Sequence, residues 1–178
     1  MHGTEAPSPW IARFAHLVPA GGTVLDLACG RGRHMRFFAA RGHAVVGVDR
    51  DADALATLQG VGETVQADVE NGPWPLPGRQ FGGVVVTNYL WRPLFARILE
   101  SVAPGGVLLH ETFARGNETV GKPSRPDFLL ATGELLQAYA GLRVVAYEDG
   151  FLDQPPRFVQ RIAAVRELPG TTRAHYQL

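Results

Sequence analysis

Residues 24–50, VLDLACGRGRHMRFFAARGHAVVGVDR, constrain this chain more than any other stretch. An apolar run, Val24, Leu25, Leu27 and Ala28, has Asp26 set inside it, and Cys29-Gly30-Arg31-Gly32 follows as a tight turn. Met35, Phe38 and Ala39 then recur at helical spacing, and Gly42 is a natural helix stop. Residues 44–48 form a second apolar, β-branched run that ends on Asp49. Strand, loop, helix and strand in that order predict a crossover between parallel strands, which is nearly always right-handed. In such sheets ligands bind outside the carboxyl ends of the strands.

Two nucleotide chemistries use a unit of this kind. A dinucleotide site wants G-x-G-x-x-G, whose third glycine lets the helix pack close while pyrophosphate sits at the helix N-terminus. Gly30 and Gly32 are present, but Met35 stands in the third place. Asp26 also argues against pyrophosphate, which a nearby carboxylate repels. S-adenosylmethionine (AdoMet) carries no phosphate. Its ammonium suits Asp26, its carboxylate suits the backbone at Gly30–Gly32, and its ribose diol suits Asp49.

D-L-A-C-G-R-G followed by V-D-R resembles the first two motifs of class I AdoMet-dependent methyltransferases, and the resemblance runs over roughly residues 24–168. It implies a single-domain, Rossmann-like α/β fold: a doubly wound, seven-stranded mixed sheet with strand 24–29 inside it and an antiparallel pair at one edge. It implies cofactor contacts from Asp26, Ala28, Gly30, Gly32, Asp49, Arg50, Asp68, Val69 and Asn88. Asp68 stands where the family places an acid that accepts the adenine amino group. Residue 28 is usually glycine in the family, so Ala28 is a departure with a small expected effect on the backbone's approach to the cofactor. The brevity of the chain looks like the small tellurite-resistance and thiopurine type, which act on small molecules.

A chain of 178 residues suits one domain spanning 1–178. Hydrophobic residues make up 46% and charged residues 19%, which a soluble, folded protein has and a disordered one does not. The formal net charge is zero, which disfavours life on a nucleic-acid backbone without excluding a local patch. One cysteine forbids an internal disulfide and fits a reducing, cytoplasmic setting. No apolar run approaches the roughly 20 residues of a membrane helix, and residues 1–10 lack signal-peptide character.

Along the chain, Ser8 is a candidate cap for a helix carrying Ile11, Phe14 and Val18, which in the family can also cover the cofactor. His34 reads as a capping or surface residue. Asp51 caps the next helix, and residues 64–69 are the expected third strand. Residues 71–80, NGPWPLPGRQ, are too rich in Pro and Gly for a helix. Residues 81–89 read as a strand buried on both faces. It is followed by a helix from Pro93, a turn at 104–106 and a strand at 107–113. Thr132 starts another helix, residues 142–147 and 158–165 are the last strands, and 169–178 is a tail expected to fray.

Asn88, Tyr89, Trp91 and Arg92 leave one strand end, and His110, Glu111 and Thr112 lie near the next; both clusters are expected to face one cavity. Candidate bases are Tyr89, His110, Glu111 and His34. Trp91, Arg92, Arg115 and Arg125 are candidate substrate contacts. Residues 114–130 lack a period and are long enough for a lid that swings Arg115 or Arg125 onto an anionic acceptor. No metal-ligand spacing is present. Methyl transfer from a sulfonium needs chiefly alignment of nucleophile, methyl and sulfur, a proximity effect that can reach about 7–11 kcal/mol. Three functions stay open: a small-molecule methyltransferase, an RNA or protein methyltransferase using the basic loop, and a non-catalytic AdoMet- or dinucleotide-binding module.

Overall fold

The computed structural model describes residues 6–170 and 174–178. Its seven strands are β1 (Val24–Leu27), β2 (Val45–Asp49), β3 (Glu63–Gln66), β4 (Phe81–Thr87), β5 (Val102–Phe113), β6 (Arg143–Asp153) and β7 (Pro156–Val165). They form one sheet in the order β3-β2-β1-β4-β5-β7-β6. Neighbours from β3 through β5 run parallel, and β7 is antiparallel to both β5 and β6. β1 lies inside the sheet, with Asp26 opposite Gly47 on one side and Val85 on the other.

Each helix follows from local signals. In α1 (Pro9–Phe14) the Ser8 hydroxyl accepts from Trp10 N at 3.2 Å, and Pro9 needs no donor partner at the first position. α2 (Arg33–Ala39) starts from Gly32 in the left-handed region. In α3 (Ala52–Ala56) the Asp51 carboxylate accepts from the N–H groups of Asp53 and Ala54, both at 3.0 Å. Pro93 sits in a single 3-10 turn, Arg92–Leu94, which runs into α4 (Phe95–Glu100). The last helix, α5 (Glu134–Ala138), starts after Gly133, two residues beyond the expected cap.

The helices bury both faces of the sheet. Trp10, Ile11, Phe14, Met35 and Phe38 pack with Val24, Val85, Leu109 and Ala163 on one face. Ile98, Leu135 and Tyr139 pack with Leu25, Leu27, Val84, Val86 and Leu108 on the other. Each such side chain contributes about 1.5–3 kcal/mol by leaving water. Met35 fits because the facing β2 position is a glycine. A Cβ on Gly47 would lie 2.2 Å from Met35 Sδ and 2.9 Å from Cys29 Sγ. Close helix–strand packing is therefore secured from the strand, without a third glycine in the loop.

Several boundaries depart from expectation. β3 ends at Gln66, so Asp68 and Val69 lie beyond it. β4 ends at Thr87, because Asn88 turns to φ 54. β5 starts at Val102 and absorbs the expected turn at 104–106, with a register shift between Phe81 and Gly83 on the strand beside it. β6 and β7 extend into a long hairpin turning at Gln154-Pro155. Residues 171–173 of the expected frayed tail lie outside the described residues. After them Tyr176 packs against the α1 side of the core, and the Gln177 carbonyl lies 2.9 Å from His16 Nε2. Among the described residues no helix is long and apolar enough to cross a membrane.

Candidate active site

The carboxyl ends of the parallel strands surround a cavity of about 410 Å³. Ala28, Val48, Asp49 and Arg50 line it from β1 and β2, and Ala67, Asp68, Val69 and Glu70 from the segment after β3. Asn88, Tyr89 and Leu90 follow β4, Thr112 and Phe113 end β5, and Pro123 and Phe128 come from the 114–130 loop. Six of the nine residues expected to hold the cofactor are thus on one wall: Ala28, Asp49, Arg50, Asp68, Val69 and Asn88. Ala28 (φ 56) and Asn88 (φ 54) are the non-glycine residues with left-handed backbone among those described, and both line this cavity. Strained backbone of this kind gathers where a ligand requires it.

Asp49 is the hinge of the wall. Its Oδ2 accepts from Gly30 N at 2.7 Å and its Oδ1 from Asp51 N at 3.0 Å. The carboxylate is held in place by two backbone donors, and each oxygen keeps a second lone pair for a ligand. Asp68 accepts from Glu70 N at 3.0 Å, Asn71 N at 3.1 Å and Asn71 Nδ2 at 2.9 Å. These bonds, Asn71 first, hold its carboxyl below the usual value. Asp68 therefore both starts a turn and lines the cavity.

Gly30, Gly32 and Asp26 are off the wall. A Cβ at Gly30 would meet nothing within 4 Å, whereas one at Gly32 would strike Leu58 Cδ2 at 2.4 Å. Gly32 is required by packing against Leu58, a need separate from cofactor approach. Asp26 is 2% exposed, and its Oδ2 has no partner among the described residues. Burial raises its pKa to about 7, Asp49 adds to the rise, and Arg33 and the Met35 N–H oppose it. Burial also pushes the Cys29 thiol up, so this cysteine is an inert core group.

Of the four candidate bases only Tyr89 reaches the cavity. Its hydroxyl donates to Glu70 Oε1 at 3.2 Å, and burial followed by the Glu70 charge drives its pKa up, so the phenol keeps its proton. His110 lies under the strand ends, packed against Tyr139 and Phe95. The Tyr89 carbonyl, 3.3 Å away, only accepts, so Nε2 carries the proton and Nδ1 accepts from the Tyr139 hydroxyl at 2.8 Å. Burial lowers the His110 pKa to about 4, so the ring is neutral. Glu111 takes the Ser8 hydroxyl at 2.9 Å and Arg161 Nη1 at 3.3 Å, while Arg161 Nε also donates to Glu148 at 2.9 Å. His34, expected at a cap or the surface, is buried and accepts from Ser8 N at 3.1 Å. Burial lowers its pKa to about 3.

The expectation that the His110 and Glu111 cluster faces the cavity is therefore corrected. Only Thr112 and Phe113 of that strand end reach it, because Tyr139 covers His110 and Ser8 with Arg161 covers Glu111. The expected substrate contacts also lie elsewhere. Trp91 packs against the core. Arg92 forms a fork with Glu134, Nε at 2.6 Å and Nη2 at 2.9 Å, and donates to the carbonyls of Asp127 and Leu129, both at 2.9 Å. Arg115 is exposed, and Arg125 is held at 3.0 Å by Asp127 and lies over the Phe128 ring. What the loop brings to the wall is Pro123 and Phe128. Sequence reasoning missed Glu70, Leu90 and Phe128. A glycine inside a buried strand was the available signal for the Gly47 packing.

Fold and site together define a class I methyltransferase architecture: a 3-2-1-4-5-7-6 sheet with its cavity at the loop that follows an acid-bearing first strand. Residues 24–106 match the family model described as a methyltransferase domain. No curated protein matches the chain by sequence. Among solved structures, TehB from Haemophilus influenzae superposes with a TM-score of 0.76 at 19% identity, over 93% of this chain and 64% of that one. The chain thus spans a little under two thirds of that protein. The glycopeptide N-methyltransferase MtfA gives 0.64 at 20% identity, over 94% and 92%, and is also solved with sinefungin and with S-adenosylhomocysteine. An S-adenosylmethionine-dependent methyltransferase from Mesorhizobium loti gives 0.69 at 18%, over 87% and 96%. The chain thus shares the fold of S-adenosylmethionine-dependent methyltransferases, and residues 24–106 carry their domain signature.

The residues present fit that cofactor. Asp26 offers a buried carboxylate oxygen without a partner among the described residues, beside a second carboxylate, a place for a cation. When bound, S-adenosylmethionine supplies an electrophilic methyl on a good leaving group.

Proposed function

We propose that this protein transfers a methyl group to a small-molecule acceptor, and that the wall residues divide into a cofactor end and an acceptor end. At the cofactor end Asp49 meets the ribose diol and Asp68 the adenine amino group, and behind the wall Asp26 meets the ammonium and the Gly30–Gly32 loop the carboxylate. Arg50, Val69 and Asn88 complete that end. The observation that carries this reading is the convergence of Ala28, Asp49, Asp68 and Asn88 on one cavity from four separate strand ends.

Tyr89 keeps its phenolic proton, and His110 and Glu111 are positioning residues that brace the strand ends. Catalysis then rests on alignment of the acceptor, with the nucleophile arriving already free of its proton. A small acceptor is favoured over RNA because the cavity lining carries a single guanidinium, Arg50, against the three carboxylates Asp49, Asp68 and Glu70. The cytoplasmic setting remains part of this proposal.

Two measurements test it. Calorimetry with AdoMet, S-adenosylhomocysteine and NAD should give binding for the first two and none for NAD. Labelled AdoMet incubated with protein and a metabolite extract should then label a small molecule. Label transferred only to RNA, with binding that falls steeply with salt, would refute the small-molecule assignment.

A further inference from the structure

The acceptor end of the cavity carries no cation. Tyr89, Leu90, Thr112, Phe113, Pro123 and Phe128 form it, and their side chains are apolar or uncharged. The whole lining holds three carboxylates, Asp49, Asp68 and Glu70, against one guanidinium, Arg50. Arg50 stands beside Asp68, whose carboxyl it helps to hold low, and its charge also reaches the Tyr89 hydroxyl, where burial and Glu70 outweigh it. The cations of the covering loop are turned to other work or to solvent. Arg125 pairs with Asp127, and Arg115 and Lys122 are exposed and off the wall. Glu70, the carboxylate nearest the acceptor end, accepts only the Tyr89 hydroxyl at 3.2 Å and has no cationic partner among the described residues.

We infer that the acceptor is an apolar molecule that is uncharged or cationic, and that the site rejects anions. This inference rests on the cofactor placement proposed above. An anionic acceptor would leave water for an apolar wall whose side chains offer no counter-charge, in a lining of net negative charge, which penalises it twice; the methyl donor's sulfonium, which S-adenosylhomocysteine lacks, is a counter-charge the cofactor brings and not the wall. A cation would instead meet the field of Glu70. Selectivity thus comes from an unfavourable term against anions as much as from apolar contact.

The test uses three probes of one shape: benzamide (neutral), benzamidine (cationic) and benzoate (anionic). The full-length protein is first titrated with S-adenosylhomocysteine while the amide resonances of Asp49, Asp68 and Val69 are followed by NMR. No shift there sinks the cofactor placement itself, before any acceptor probe is added. With the site loaded, benzamide and benzamidine should shift the amides of Thr112, Phe113 and Phe128, and benzoate should bind at least about tenfold more weakly than benzamide. Phe128→Arg changes a residue that is 39% exposed and outside the buried core. It should improve benzoate at least about fivefold and weaken benzamidine. Benzoate binding as tightly as benzamide to the unaltered protein, or no probe shifting those three amides, overturns the inference.

Discussion

The Gly30 N–H donates to Asp49 Oδ2 at 2.7 Å, joining the loop after β1 to the last residue of β2. One carboxylate therefore shapes the loop and faces the cavity. Asp49→Ala is expected to lose about 1.5–3 kcal/mol of S-adenosylhomocysteine binding, the range for hydrogen bonds to a charged group. It should also lower folding stability by about 1 kcal/mol through the freed Gly30 and Asp51 donors. Asp49→Asn keeps one acceptor oxygen and should recover part of the stability while still binding weakly. Calorimetry and urea unfolding of the same samples separate the two effects, and unchanged affinity in both variants would remove Asp49 from the site.

Asp26 gives a pH prediction. Its folded pKa, about 7, stands above the ordinary 3.8 of an unfolded aspartate. The folded state therefore favours the protonated carboxyl. Its contribution to stability is full below about pH 4 and is lost as pH rises through about 7, a change of about 4 kcal/mol. Asp26→Asn should flatten that slope, leaving the variant more stable than the parent at pH 8 by urea unfolding. Binding of S-adenosylhomocysteine, whose ammonium favours the carboxylate, should strengthen from pH 6 to 8 in the parent and stay level in Asp26→Asn. Parallel pH slopes in both proteins would detach Asp26 from the cofactor.

Ala28 at φ 56 bears a cost of about 1–2 kcal/mol that glycine escapes. Glycine adds unfolded-chain entropy of about 0.4–1 kcal/mol, so Ala28→Gly should be net stabilising by about 0.5–1 kcal/mol. Thermal unfolding measures it, and a destabilised variant would mean the Cβ makes a contact worth more than the strain.

The two loop glycines should behave differently. Gly30→Val places a side chain in open space where the cofactor is proposed to approach, so binding is lost, and at φ 53 it also costs about 1–2 kcal/mol, which leaves the sheet folded. Gly32→Val bears a similar backbone cost and also collides with Leu58, so it should reduce stability further as well as binding. Circular dichroism beside calorimetry distinguishes them; normal binding by Gly30→Val would make that loop a structural turn only.

Much of this fold was legible because burial leaves a period in the sequence. Val84-Val85-Val86 and the 24–29 run announce strands covered on both faces, and Ser8-Pro9 and Asp51 announce helix starts. The hairpin extension was not legible, since Glu148, Asp149 and Asp153 are polar and pair far from the core. Asp49 was legible by its place at a strand end and Asp68 through the resemblance to the family; both line the cavity. His110 and Glu111 misled because strand position does not say what covers a side chain. Tyr139 comes from the end of α5, Ser8 from the start of α1 and Arg161 from β7, contacts 29, 103 and 50 residues away in the chain. Arg92 misled likewise, because its partner Glu134 lies 42 residues on.

That Arg92–Glu134 fork and Asn117 together anchor the 114–130 loop. Asn117 is 1% exposed; its Nδ2 donates to the Pro123 carbonyl at 2.9 Å and its Oδ1 accepts from Phe158 N at 3.1 Å. Arg92 holds the other end through the carbonyls of Asp127 and Leu129. The loop base is closed by Arg115 N to the Leu130 carbonyl at 3.0 Å. Between the anchors, Pro123 and Phe128 line the cavity, so a ligand touching them should tighten the whole segment. Arg92→Lys keeps the charge but loses the planar fork, and should cost about 1–2 kcal/mol, felt locally. Asn117→Ala leaves two polar groups unpaired and should cost about 2–3 kcal/mol. Hydrogen exchange across 114–130 should quicken in both variants and slow in the parent when S-adenosylhomocysteine and an acceptor are added together. Exchange that ignores both ligands would make the segment a fixed wall, with its anchors serving stability alone.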